Sequence, residues 1–112
     1  MIDPTALEEL IAEAAELMQR CAGGSSPCAA AKAGRAAPMA KNAEGRWAAL
    51  RDVRAAVRNG RTGADAVAEV LASWEGHLDR LRNRDAGADW VAYREGGVQA
   101  LRAVSAASSV GG

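Results

Sequence analysis

The residues whose types and spacing bear on chemistry are one histidine, two cysteines, and five arginines gathered in RWAALRDVRAAVRNGR, residues 46–61. His77 lies in SWEGHLDR, and its flanking acids Glu75 and Asp79 suggest general acid–base work. On a helix, however, residues two positions away point off the imidazole's face; the i−4 and i+4 neighbours are Ser73 and Leu81. No second histidine completes a metal pair and no serine or cysteine carries a nucleophile signature, so His77 reads as a surface or boundary residue.

The cysteines, Cys21 and Cys28, bracket AGGSSP, which is neither a C-x-x-C redox pair nor a four-ligand zinc spacing. They read as free thiols in a reducing compartment; paired, they would close a short loop and stabilise by about 2–3 kcal/mol. NGRTGAD, residues 59–65, places backbone N–H groups beside arginine at a helix start, with Arg61 and Thr62 as anion-binding candidates. It lacks the lysine and the preceding strand of a P-loop, so a turn followed by a helix cap is the reading taken. The expectation is a chain that is not an enzyme, with no catalytic residue, metal or cofactor. Trp74-Glu75-Gly76 resembles the W-x-G turn of the small secreted WXG-type helical-hairpin proteins, which also carry a Y-x-x-x-[DE] signal. Here the tripeptide lies inside a helical stripe that continues on both sides, and Tyr93 is followed four positions later by Gly97. A likeness of three residues is not adopted.

The arginines have a geometry. At 100° per residue Arg51, Arg54, Arg58 and Arg61 fall within about 80° of arc, beside an apolar stripe of Leu50, Val53 and Val57, with Arg46 and Trp47 at the border. Charge is segregated along the chain: residues 1–19 sum to −5, 20–61 to +7 and 62–112 to −2, for a net charge of zero. Such segregation suits complementary packing within one molecule or between copies, the stripe meeting Glu9, Glu13 and Glu16 of the first helix. A nucleic-acid-binding domain more often carries net basic charge as well.

The elements that must position these groups follow from composition and period. In 112 residues there are 28 alanines but only 18 Leu, Ile, Val and Phe together, which predicts one thin-cored domain of close-packed helices. Asp3 and Pro4 open a first helix over about 4–20, with Thr5-x-x-Glu8 as an alternative capping box, and Leu7, Leu10, Ile11, Ala14, Leu17, Met18 and Cys21 repeat along its apolar face. Residues 22–43, punctuated by Gly23, Gly24, Pro27, Gly34 and Pro38, read as a long flexible connection. A second helix runs over about 44–59 and closes at Asn59-Gly60 with Gly60 as left-handed cap. A third, over about 63–84, is capped by Thr62 and buries Val67, Val70, Leu71, Trp74, Leu78 and Leu81. A fourth, over about 90–106, is capped by Asp89 and presents Trp90, Val91, Val98, Leu101 and Val104. Gly96-Gly97 costs it about 2 kcal/mol relative to two alanines, so a bend or break is expected there; residues 108–112 form a frayed tail.

The architecture expected is an all-α, small four-helix bundle, a single domain over residues 1–107, with a helical hairpin plus two looser helices as the alternative. No apolar run of eighteen residues exists and the amino terminus lacks a basic leader, which predicts a cytoplasmic protein without membrane contact. The function expected is a non-enzymatic helical protein–protein interaction module: an adaptor, assembly subunit or inhibitor. Its partner would be another protein or a second copy in a homo-oligomer, met through Trp47, Arg51, Arg54, Arg58 and Arg61 and through the acidic first helix. The alternative is a nucleic-acid-binding regulator using the same arginine stripe.

Overall fold

The computed structural model describes residues 3–22 and 36–111, with side chains described over 3–20 and 39–107. The described residues form a four-helix all-α bundle of α1 (Pro4–Ala22), α2 (Ala36–Arg58), α3 (Gly63–Asn83) and α4 (Ala88–Gly111), without a strand. Consecutive described helices run antiparallel: Glu8 of α1 meets Arg54 of α2, Asp52 of α2 meets Trp74 of α3, and Glu75 of α3 meets Arg102 of α4. As a result α2 and α4 run parallel, and their contact is the most extensive in the fold. Helix α2 touches all three others, whereas α1 rests on α2.

The helix ends follow local chemistry. At the start of α1 the Leu7 N–H donates to the Asp3 carbonyl at 2.9 Å, and Pro4 occupies the first helical position, where a missing N–H costs nothing. Gly60 closes α2 with φ of 100°, its N–H donating to Val57 O and the Arg61 N–H to Ala56 O, a Schellman motif. The Thr62 side chain then caps α3 by accepting the Asp65 N–H at 3.1 Å. Helix α3 ends in the same motif with Asp85 at φ 53° in the place of glycine, and the Ala86 N–H on Leu81 O.

Three expectations require correction. Residues 36–43 belong to α2 and not to a connection, so that helix begins well before 44; residues 23–35, the Cys21 side chain and all of Cys28 lie outside the described residues. Pro38 sits in the first turn, where no intrahelical acceptor waits for its absent N–H, so it opens the helix instead of breaking it. Helix α4 starts at Ala88, the Val91 N–H donating to Gly87 O, which leaves Asp89 inside the first turn and not at the cap. It is continuous through Gly96-Gly97, and its backbone stays helical to Gly111, past the predicted end at 106 and into the stretch expected to fray.

The glycines survive in α4 because neighbours need their space. A Cβ on Gly96 would overlap the Asn42 carbonyl, one on Gly97 the Trp74 ring, and one on Gly45 of α2 the Tyr93 carbonyl of α4. Around this crossing the core gathers Leu7, Ile11 and Ala14 of α1; Ala49, Leu50 and Val53 of α2; Ala66, Val67, Trp74 and Leu78 of α3; and Val98, Ala100, Leu101 and Val104 of α4. All four helices enter one cluster, so the looser alternative does not describe the fold. Val70 and Leu71 pack at its edge, half-buried.

The glycines thus divide by environment. Gly96→Ala and Gly45→Ala force backbone apart and should each lower stability by about 1–3 kcal/mol or more. Gly76→Ala adds a methyl group whose nearest neighbour is the flexible Arg80 guanidinium at 3.7 Å, and should raise stability by about 0.5–1 kcal/mol through helix propensity. Chemical denaturation of the three variants measures both signs.

Candidate interaction surface

The fold divides the arginine stripe. Arg54 Nη1 donates to both carboxylate oxygens of Glu8, at 2.7 and 3.2 Å, and Arg61 Nε lies 3.2 Å from Glu69 Oε2. Arg51 lies 4.5 Å above the ring of Trp47, which is half-buried against the core. Arg58 is exposed and meets no carboxylate among the described residues. Two of the five predicted contact residues are therefore held in ion pairs within the chain, and Trp47 and Arg51 are stacked on one another. The acid that reaches the stripe is Glu8, not Glu9, Glu13 or Glu16. Antiparallel packing sets the first turns of α1 against the last turns of α2, which brings Glu8 to Arg54; all four of these glutamates are exposed. Thr62, an anion-binding candidate, spends its hydroxyl oxygen on the α3 cap.

The remaining cations lie elsewhere. Arg82 pairs with Glu95, and Arg102 with Glu75, each at 2.7 Å, bridging α3 and α4. Arg46 donates to Asn42 Oδ1 at 3.0 Å and to Gln99 Oε1 at 2.9 Å, a polar bridge between α2 and α4 above the glycine crossing. Arg94 lies instead over two aromatic rings, 4.5 Å from that of Trp74 and 5.3 Å from that of Tyr93. Arg80 reaches His77, its Nη2 donating to Nδ1 at 3.1 Å. Since a guanidinium only donates, Nδ1 is the acceptor and the imidazole proton sits on Nε2. The positive charge of Arg94, then slight burial and the charge of Arg80, hold the imidazole below its ordinary value of 6.5.

A surface that sequence reasoning missed borders this cluster. Trp90, expected in the core, is 58% exposed, with Met39 at 36%. Lys41 Nζ lies 5.7 Å from the Trp90 ring, and the Tyr93 ring meets Trp90 edge-on at 6.5 Å. Tyr93 in turn packs 5.2 Å from Trp74, whose Nε1–H donates to Asp52 at 2.9 Å. Trp90 lies about 20° from Leu101 on the helical wheel, so its phase is that of the core stripe. In the first turn of α4 its ring is met by Lys41 of α2 and by Tyr93, which leave more than half of it exposed.

Chemically, the face formed by His77, Arg80, Trp90, Tyr93, Arg94 and Lys41 offers guanidinium groups and rings to an anion or an aromatic partner. Arg80 and Arg94 meet no carboxylate among the described residues. Among the described residues no group of three His, Cys, Asp or Glu is placed to hold a metal, and no helix is long and apolar enough to cross a membrane. Trp74, of the W-x-G tripeptide, is buried in mid-helix. No protein-family model, no curated protein and no solved structure matches the chain.

Two measurements probe these electrostatics. A double-mutant cycle on Glu8→Ala and Arg54→Ala should give a coupling of about 0.2–1 kcal/mol that fades as salt rises, because both partners are partly exposed. For His77, the folded chain favours the neutral imidazole more than the unfolded chain does. Stability is therefore greatest above about pH 6.5 and falls as the pH drops through the lowered folded value. Thermal melts from pH 8 to 5 should show this loss in the wild type and less of it in His77→Gln.

Proposed function

We propose that this chain is a non-enzymatic helical protein–protein interaction module of the cytoplasm, and that it grips its partner through the face of Trp90, Tyr93 and Arg94. The observation that carries the reading is Trp90. It is 58% exposed in a chain whose other aromatic rings are packed or covered; Lys41, paired with Glu44 at 3.0 Å, lies against its ring, and Arg94, over the neighbouring Tyr93 and Trp74 rings, meets no carboxylate among the described residues. Tryptophan and arginine dominate interface energetics because a large ring and a planar cation bury much area with few rotamers to lose. A guanidinium already lying on aromatic rings is also oriented before the partner arrives.

The stripe of α2 supports this function less directly than its periodicity suggests. Arg54 and Arg61 would have to leave Glu8 and Glu69 to bind elsewhere, whereas Arg51 and Arg58 remain available at its edge. The same reservation weakens the nucleic-acid reading, since a phosphate-tracking helix needs its cations uncommitted. Self-association remains within the proposal, with the acids of α1, Glu9, Glu13 and Glu16, exposed to a second copy.

Affinity recovery with wild-type and variant chains tests the choice of face. Trp90→Ala and Arg94→Glu should each lose the partner, by about thirtyfold or more in affinity for Trp90→Ala, while Arg51→Glu with Arg58→Glu retains it. Recovery of the same proteins by all variants would remove the face from consideration. Light scattering at low and high salt identifies the case in which the partner is a second copy.

A further inference from the structure

A second site lies apart from the Trp90 face, where the start of α1, the end of α2 and the start of α3 converge. A cavity of about 430 Å³ opens there, walled by Pro4, Leu7, Val57 and Gly63, with Glu8, Arg54 and Arg58 alongside. That volume falls in the range of small-molecule sites, about 300–1,000 Å³. Its walls are almost wholly apolar, so water in it gains few hydrogen bonds and an aliphatic chain would displace it favourably.

The charges beside the cavity select the head of such a ligand. Glu8 is neutralised by Arg54, which donates to both of its oxygens, and the nearby Arg61 is matched by Glu69. Arg58 alone is unmatched: exposed, at the cavity, and with no carboxylate among the described residues. Gly63, at the amino-terminal end of α3, adds the positive end of the helix dipole to the same cavity. The Thr62 cap satisfies the Asp65 N–H and leaves those of Gly63 and Ala64 without an acceptor among the described residues.

From an apolar cavity, an unmatched guanidinium beside it and a positive helix end in its wall, we infer that this site binds an aliphatic carboxylate. The chain lies on Leu7 and Val57 and the carboxylate pairs with Arg58. The Glu8–Arg54 pair fixes one side of the cavity, so the ligand also bridges α1 to α2. Each buried methylene contributes roughly a fourfold gain in affinity, and the head group sets the preference for an anion.

Titration of the full chain with sodium octanoate, 1-octanol and sodium acetate, followed by amide chemical shifts, tests the inference. Octanoate should bind saturably, with shifts centred on Leu7, Val57 and Gly63; octanol should bind more weakly and acetate should not saturate. Arg58→Gln, a change at an exposed position, should weaken octanoate by about three- to fivefold, leave octanol unchanged and leave the melting temperature intact. Arg58→Lys should restore most of the loss. Equal affinity for octanoate and octanol in the wild type, an equal effect of Arg58→Gln on both, or shifts centred elsewhere would each overturn it.

Discussion

At two points where α2 crosses α4, the backbone carbonyl of one helix occupies the space in which a side chain of the other would begin. The Tyr93 carbonyl stands where a Cβ of Gly45 would be, and the Asn42 carbonyl where a Cβ of Gly96 would be. The two contacts are reciprocal, each helix offering a Cα–H of glycine to the other's carbonyl, and such contacts contribute about 0.5–1 kcal/mol apiece. A third glycine, Gly97, admits the Trp74 ring. Because the helices approach this closely, alanine suffices where leucine would otherwise be needed: Ala43 and Ala49 of α2 and Ala100 of α4 are all buried. The few large aliphatic residues, among them Leu50, Leu101 and Val104, are buried beside these alanines. The thin core foreseen from composition is a consequence of this crossing.

Charge is organised around the same frame. With side-chain layers this shallow, long arginines are never far from a neighbouring helix, and four of them find carboxylates: Arg54 with Glu8, Arg61 with Glu69, Arg82 with Glu95 and Arg102 with Glu75. Each pair is partly exposed and individually weak. Together they join α1 to α2 and α3 to α4, and two of them, Arg54–Glu8 and Arg61–Glu69, join the basic middle of the chain to its acidic flanks. Among the arginines that remain outside this matching, Arg58, Arg80 and Arg94 mark surfaces where the molecule has charge to offer.

What was legible in the sequence was local or periodic. Thr62 and Gly60 were readable as cap and stop because their hydrogen bonds lie within a turn of their own positions, and Val67, Trp74 and Leu78 because a buried stripe repeats with the helix. Non-local facts were hidden. Gly96-Gly97 reads as a break by propensity, and only the Asn42 carbonyl and the Trp74 ring, both distant in sequence, make it an asset. Trp90 has the phase of the core, but phase does not say how completely neighbours cover a ring, and Lys41 and Tyr93 leave more than half of this one exposed. Likewise the spacing of Glu8, Glu9, Glu13 and Glu16 places all four on α1 without saying which borders α2. The arginine stripe was correctly drawn as a stripe; its division into matched and unmatched residues depends on packing that no window of sequence contains.

The glycine crossing also bears on the exposed aromatic face. Tyr93 is held by its backbone, its carbonyl against Gly45, and by its ring against Trp74, which is itself fixed by the Asp52 hydrogen bond and by Gly97. Arg94 follows Tyr93 directly and lies over both rings; Trp90 lies one turn earlier on the same helix, edge-on to Tyr93. Neither side chain sits on a loop, and each is tied to a residue the core immobilises. A partner meeting this face therefore encounters rings and a guanidinium already in place, and less conformational entropy is lost on binding than a mobile surface would forfeit. The close crossing that lets an alanine-rich chain fold is thereby also what holds a small exposed patch of it in place.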